Sequence, residues 1–313
     1  MATTTLGNTG IEVTPMGFGT WAWGDSIFWG YGKDYGEMDL RLAFQAAVNN
    51  GITFLDTAEV YGLGKSEELI GKFIKETNAT TQIATKYMPL PWRFRAEDVA
   101  DAVTASLKRL KMPSVDLYQV HFPFPSFLSQ EGLMNALADE VQQGRIKAVG
   151  VSNYSAEQLR EAHRVLARRG VPLAVNQVRY SLITREIETN GVLAAARELG
   201  VTILAYSPLA QGLLTGKYTM INPPTGARSF DKRFQTAGLI KLQPVLDKLN
   251  ELGEKYSKTP AQVALNWLIC QPGVIPIPGI KTAAQVDQNA GAIGWELSET
   301  DAIELRQKAL LHS

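Results

Sequence analysis

The chain has 313 residues, a mass of 34.3 kDa and equal numbers of basic and acidic side chains, 31 each, a balance that argues against nucleic acid or an anionic membrane as the main partner. Its one cysteine, Cys270, rules out an intrachain disulfide, and a chain of this length buries about 75% of its unfolded surface without such a staple. No run reaches the ~18–20 apolar residues of a membrane span, and the N-terminus has neither signal-peptide nor transit-peptide composition, so the expected compartment is the cytoplasm unless an organelle-targeting peptide has been removed.

Thr3–Val13, with the turn-like Gly7-Asn8-Thr9-Gly10, predicts a hairpin that caps the bottom of a larger fold. Short β-rich runs then alternate with helical patterns. Strands are expected at Met16–Thr20, Ile52–Asp56, Gln82–Lys86, Val115–His121, Ile146–Ser152, Leu173–Gln177, Val201–Tyr206 and Gly273–Ile277. Helices are expected at Asp39–Asn49, Ser66–Glu76, Ala96–Leu110, Glu131–Gln142, Ala156–Ala167 and Gly191–Glu198, where apolar residues recur three and four apart. Asn50-Gly51 and Leu199-Gly200 supply helix stops, because glycine takes the left-handed cap conformation. The stretch Gly216–Gly238, rich in Gly, Pro and charge, has no clear period and reads as a lid-like loop. Thr259-Pro260 opens a further helix, with threonine at the N-cap and proline at its first turn. Ser298–Ala309 reads as a capped helix, Ser298 preceding Asp301 by three. Eight β-runs mostly separated by helices predict an α/β fold with a parallel sheet, closed or doubly wound. Eight strands close a (β/α)8 barrel, and ~250 residues plus insertions fits this length. No linker or internal repeat interrupts residues 1–313, so one domain is expected.

In such a barrel, chemistry sits at the C-terminal ends of the strands. Asp56, Lys86 and His121 end the second, third and fourth runs, and Tyr61 lies in the loop after the second. Singly these residues say little: a lone Asp after a strand is often a cap, a lone Tyr packing, a lone Lys solvated, a lone His structural. On consecutive strand ends they can converge, and together they predict an active site. Tyr61 would be a general acid. Lys86 would favour its phenolate and lower its pKa, and Asp56 would hold Lys86 by a charge-assisted hydrogen bond. His121 would orient and polarise a substrate carbonyl or help relay a proton.

The chain resembles the aldo-keto reductases over nearly its whole length. The resemblance rests on Gly17-Phe18-Gly19-Thr20-Trp21, Phe54-Leu55-Asp56-Thr57-Ala58-Glu59-Val60-Tyr61-Gly62, Ala84-Thr85-Lys86 and His121. It continues through Gly150-Val151-Ser152-Asn153, Asn176-Gln177, Tyr206-Ser207-Pro208-Leu209 and Ile277-Pro278-Gly279. Any one piece is weak; together they are specific. The resemblance implies a (β/α)8 TIM barrel with an N-terminal β-hairpin and extra C-terminal helices, reducing aldehydes or ketones with NADPH. It implies the tetrad Asp56, Tyr61, Lys86 and His121 in the roles above, and cofactor contacts from Gly19, Thr20, Trp21 and Asp56.

Further cofactor residues follow by position. Ser152, Asn153 and Gln177 match the side chains that hold the nicotinamide carboxamide, a group needing both donors and acceptors. Tyr206 matches the aromatic stacked on the nicotinamide ring. Ser207, Pro208, Leu209, Gln211 and Gly212 match the stretch along the pyrophosphate. Ile277 is a further cofactor contact, and Gly279, Lys281, Gln285, Gln288 and Asn289 match the adenosine end. Lys281 suits a 2′-phosphate, so NADP(H) is expected over NAD(H). Many family members carry a basic residue where Gln285 stands, which leaves Lys281 as the phosphate's cation. The substrate pocket is expected around Trp21, Tyr61, Trp92, His121 and Phe122, with Trp23, Trp29, Phe124 and Phe127 as further loop aromatics able to wall it. The expected partner is a small carbonyl substrate, and the expected state a monomer.

Other chemistries fit less well. Gly62-Leu63-Gly64-Lys65-Ser66-Glu67 lacks the third glycine of a dinucleotide-binding turn. Gly150-Val151-Ser152-Asn153-Tyr154 lacks the last glycine of a hydrolase elbow. His121, His163 and His312 are the only histidines, few for a metal hydrolase. The reading that competes is a redox-sensing, NADPH-binding regulatory subunit with little turnover.

Overall fold

The computed structural model describes residues 3–123, 128–219, 221–224 and 226–310. Strands β1 (Thr4–Thr5) and β2 (Glu12–Val13) pair antiparallel as the expected hairpin. The hairpin plugs the N-terminal end of the fold, where Gly7 N donates to Thr202 Oγ1 at 2.8 Å and Leu6 is fully buried. The remaining strands are β3 (Phe18–Gly19), β4 (Phe54–Asp56), β5 (Gln82–Tyr87), β6 (Leu117–Val120), β7 (Val149–Ser152), β8 (Leu173–Arg179), β9 (Thr202–Tyr206) and β10 (Val274–Ile277). They pair in parallel, each with its neighbour in sequence, as one eight-stranded sheet. Gly17 N to Pro276 O at 3.1 Å and Gly19 N to Pro278 O at 3.0 Å bring its two ends together as a (β/α)8 barrel. Gly17 also lets the chain pack closely on β4: a Cβ there would lie 2.5 Å from the Phe54 ring and 2.9 Å from the Phe54 carbonyl.

Helices α1 (Glu37–Asn49), α2 (Lys65–Thr77), α3 (Ala96–Leu110), α4 (Gln130–Gln142), α5 (Ala156–Arg168) and α6 (Val192–Leu199) fill the expected places. In α3 the stripe Val99, Val103, Leu107 and Leu110 is buried. Helix α1 begins two residues early because Asp39 Oδ2 accepts the Gly36 N–H at 2.8 Å and caps that end. The helix stops also hold, with Gly51 and Gly200 at φ of 69° and 66°. Then come α7 (Thr236–Tyr256), α8 (Pro260–Ile269), α9 (Ala283–Ala290) and α10 (Glu299–Leu310). Helix α7 has no counterpart among the predicted elements. Its buried Leu239, Leu242, Val245, Leu249 and Leu252 have helical spacing, but Pro244 lies inside it, a residue that ordinarily interrupts a helix. It also takes the last three residues of the predicted loop, and 3-10 turns at Gly226–Phe230 and Lys232–Phe234 occupy more of it. No helix among the described residues is long and apolar enough to cross a membrane.

Side-chain alternation along the strands positions the site. Phe54, Ala84, Leu117, Ala148, Val175, Leu204 and Ile275 form an apolar plug inside the barrel. Two residues further along a strand the side chain returns to the same face. Those residues are Asp56, Lys86, Gln119, Gly150, Gln177, Tyr206 and Ile277. A largely polar layer therefore rests on an apolar floor, at the C-terminal ends of the strands.

Candidate active site

The structure brings Asp56, Tyr61, Lys86 and His121 together. Lys86 is fully buried, and its ammonium donates to Asp56 Oδ2 at 2.5 Å, to the Thr57 carbonyl at 2.8 Å and to the Tyr61 hydroxyl at 3.4 Å. Tyr61 opens a 3-10 turn, Tyr61–Gly64, directly after β4. The His121 ring meets the Tyr61 ring edge-on, with centroids 5.7 Å apart, and stacks on Phe122 at 5.0 Å. Tyr61 and His121 face a cavity of about 670 Å³ at the mouth of the barrel, and Asp56 reaches its floor.

Proton affinities here differ from the expectation in one respect. Burial holds the Tyr61 phenol well above its usual pKa, and the negative charge of Asp56 and the nearby Tyr206 push the same way. The predicted lowering by Lys86 is not found. Burial lowers the pKa of Lys86, while the adjacent Asp56 opposes that shift and offsets the positive charge that Tyr61 would feel. Burial, and then the charge of Lys86, bring His121 down to about 3, so its ring is neutral at ordinary pH. Its Nδ1 is buried without a hydrogen-bond partner among the described residues. The single N–H of the neutral ring is therefore better placed on Nε2.

Polar side chains line the next part of the cavity. Ser152 Oγ donates to the Gln177 carbonyl at 2.9 Å. Asn153, at φ 63°, donates to Ser152 Oγ at 3.0 Å and to the His121 carbonyl at 3.3 Å, and accepts the Tyr206 hydroxyl at 3.0 Å. Gln177 donates to Asp56 Oδ1 at 2.7 Å. Beyond Tyr206 the chain strains: Ser207, Ala210 and Gln211 have φ of 52°, 48° and 58°, the kind of backbone outlier found at ligand clamps. Ser207, Pro208, Leu209, Gln211 and Gly212 all line the cavity.

The far end is cationic. Lys281 sits 4.6 Å from the Tyr35 ring centroid and 5.4 Å from that of Trp29, whose ring also carries the Arg228 guanidinium at 5.0 Å. Burial lowers the pKa of Lys281, and the positive charges of Arg228 and Lys217 add to this, with Asp34 opposing. Lys217 and Arg228 both line the cavity, so Lys281 is not its lone cation. They come from the loop read as a lid, and no motif announces them. Gln285 uses Oε1 to accept the Lys281 backbone N–H at 2.7 Å. Gly19, Ile277, Gly279, Gln288 and Asn289 complete this wall.

Three expectations need correction. Thr20 does not line the cavity; it is fully buried, with its hydroxyl donating to the Asp56 carbonyl at 2.9 Å and bonded to Ser66 Oγ at 2.8 Å. Trp92 stands 66% exposed, outside the cavity lining. Trp23 is core, its indole N–H donating to the Ile280 carbonyl at 2.9 Å. Trp21, 40% exposed, does face the cavity, stacked on Phe28 at 5.0 Å and edge-on to Trp29 at 5.3 Å. Phe122 lines it too, while Phe124 and Phe127 lie outside the described residues. Val60, Thr215 and Ala22 are lining residues that sequence reasoning missed.

This architecture has clear relatives. The sequence model of the Aldo/keto reductase family matches residues 15–309. A chloroplastic pyridoxal reductase of Arabidopsis thaliana is 41% identical, over 96% of this chain and 84% of that protein. The aldo-keto reductase YhdN of Bacillus subtilis is 36% identical, over 96% of this chain and 91% of its own length. Among solved structures, the glycerol dehydrogenase AKR11B4 from Gluconobacter oxydans superposes with a TM-score of 0.88 at 30% identity, covering 100% of this chain and 97% of that one. The strand-end cluster, the barrel and these likenesses agree: the chain belongs to the aldo/keto reductase family, oxidoreductases that act on carbonyls.

Proposed function

We propose that the protein reduces aldehydes or ketones to alcohols with NADPH, and that Tyr61 gives the proton to the carbonyl oxygen. The observation that carries this reading is the Lys86 ammonium, whose three hydrogens meet Asp56, the Thr57 carbonyl and the Tyr61 hydroxyl. Tyr61 holds its proton firmly until a stronger base reaches it, and Lys86 is in place to stabilise the phenolate left behind. Neutral His121 can donate from Nε2 to the same carbonyl oxygen.

The residues present fit the cofactor. Lys217, Arg228 and Lys281 repel one another in one cavity end, an arrangement that an anionic phosphate relieves. Ser152, Asn153 and Gln177 offer donors and acceptors for a carboxamide, and Tyr206 a ring face. When bound, NADPH supplies the hydride. The protein's part is to hold the carbonyl in reach of Tyr61 and His121 among the aromatic walls of Trp21, Trp29 and Phe122.

Those flat walls favour an aromatic aldehyde. The likeness to a pyridoxal reductase makes pyridoxal a first substrate to assay, beside 4-nitrobenzaldehyde. Purified protein is expected to consume NADPH with such aldehydes and to prefer NADPH to NADH. Tight NADPH binding without turnover across aldehydes, ketones and quinones would instead point to a sensor and sink this reading.

A further inference from the structure

Gln119 on β6 is fully buried in the polar layer, and neither the acid–base cluster nor the lining of the cavity includes it. Its Nε2 donates to Asp56 Oδ1 at 3.0 Å, and its Oε1 accepts from Gln177 Nε2 at 3.2 Å. Gln177 Nε2 also donates to Asp56 Oδ1, at 2.7 Å. These contacts fix both amides. If either side chain were flipped, its carbonyl oxygen would face a carboxylate oxygen about 3 Å away, acceptor against acceptor. Both hydrogens on Gln177 Nε2 are therefore engaged by groups that only accept, Asp56 Oδ1 and Gln119 Oε1. Only Oε1 of Gln177 remains for the cavity that this residue lines.

The sequence makes deliberate room for this brace. A Cβ at Gly150, on the neighbouring strand, would lie 2.9 Å from Gln119 Cγ and 2.5 Å from Val175 Cγ2. The glycine in the Gly150-Val151-Ser152-Asn153 motif thus leaves space that Val175 and Gln119 share.

We propose that Gln119 is a positioning residue that locks Gln177 with its oxygen toward the cavity. The site thereby selects a ligand ring bearing a primary carboxamide, which has an N–H to donate, over the same ring bearing a methyl ketone. The proposal rests on the reading that the cavity takes a nicotinamide cofactor, and it adds a determinant of specificity to that reading.

Calorimetric titration with NADP+ and with 3-acetylpyridine adenine dinucleotide phosphate tests it, with no turnover required. Wild-type protein is expected to bind NADP+ the more tightly. Gln119→Met removes the second anchor of Gln177, so the affinity for NADP+ should fall about three- to tenfold while that for the ketone analogue changes by less than about twofold. Equal weakening of both ligands, or no change in their ratio, overturns the proposal. Wild-type protein that binds neither dinucleotide overturns the cofactor reading itself, a distinguishable outcome.

Gln119→Glu supplies a second readout if the methionine variant folds poorly. The charged groups facing this position are Asp56 and Lys86, while His121, two residues on, stays neutral. Two carboxyls this close share a proton, which raises one pKa. As acid or as carboxylate, the new side chain still offers Gln177 Nε2 an acceptor, although only the acid can donate to Asp56. The variant's preference for NADP+ over the ketone analogue should therefore stay near wild type at low and at high pH. A Gln119→Glu variant that binds both ligands but has lost the preference contradicts the proposal.

Discussion

At the scale of single residues, the site separates two tasks that a tyrosine–lysine pair could have combined. Because burial disfavours the phenolate and Asp56 offsets the charge of Lys86, the resting phenol of Tyr61 stays protonated. Its folded pKa lies well above 10, so it stays protonated as pH rises through the neutral range. His121, near 3, is likewise uncharged there. Carbonyl reduction should thus show a flat kcat/KM between about pH 7 and 9, while the reverse oxidation, which needs the phenolate, should rise with pH. Steady-state profiles check both limbs, and a reduction limb falling with an apparent pKa near 7 would contradict the assignment. Lys86→Met leaves the Asp56 carboxylate without its ammonium in the interior. It should cost about 3–5 kcal/mol of stability by denaturant melts and lower kcat about 100-fold or more. The positions of Asp56, Lys86 and His121 were legible because they end successive strand-like runs, and that of Tyr61 because it follows the second of them closely. Their proton affinities were not, since burial and the Asp56–Lys86 pairing exist only once the barrel closes.

At the scale of elements, closure and capping carry the clearest consequences. Gly17→Ala would drive a methyl into Phe54 of β4, beside the seam where Gly17 N meets Pro276 O of β10. It should destabilise the protein by about 1–3 kcal/mol, measurable as a lower midpoint of chemical unfolding. Helix α10 begins as Ser298 and Asp301 implied: Ser298 Oγ accepts the Asp301 N–H at 3.2 Å and donates to its carboxylate at 2.7 Å. Burial pushes the Asp301 pKa up, but hydrogen bonds from Lys255, Tyr256 and Ser298 outweigh it and bring the group down to about 2. Its contribution is therefore complete above the unfolded value near 3.9 and lost as pH falls toward 2. Asp301→Asn should lower Tm at neutral pH, and the difference should vanish near pH 2; an undiminished difference there would contradict the linkage. Caps and glycine stops were readable because they are local chemistry. Helix α7 was not, because Pro244 masks a stripe whose partners lie on α8 and α10.

At the scale of the whole molecule, zero net charge conceals an asymmetry. Lys217 and Arg228 from the long loop and Lys281 after β10 gather at one end of the cavity, although they are far apart in the chain. Sequence could name Lys281 from its motif, but not the loop cations, whose place depends on how the loop folds back. Arg228→Ala should weaken NADPH binding about 10- to 100-fold and leave NADH nearly unaffected, and added salt should narrow that gap; equal losses for both cofactors would move Arg228 away from the 2′-phosphate. The central claim is that Tyr61 delivers the proton in NADPH-dependent carbonyl reduction, and the direct measurement is a comparison of wild-type protein with Tyr61→Phe, assayed for NADPH oxidation with an aromatic aldehyde and for NADPH affinity. The account predicts a kcat lower by about 10²–10⁴-fold with affinity nearly unchanged; turnover at the wild-type rate would contradict it.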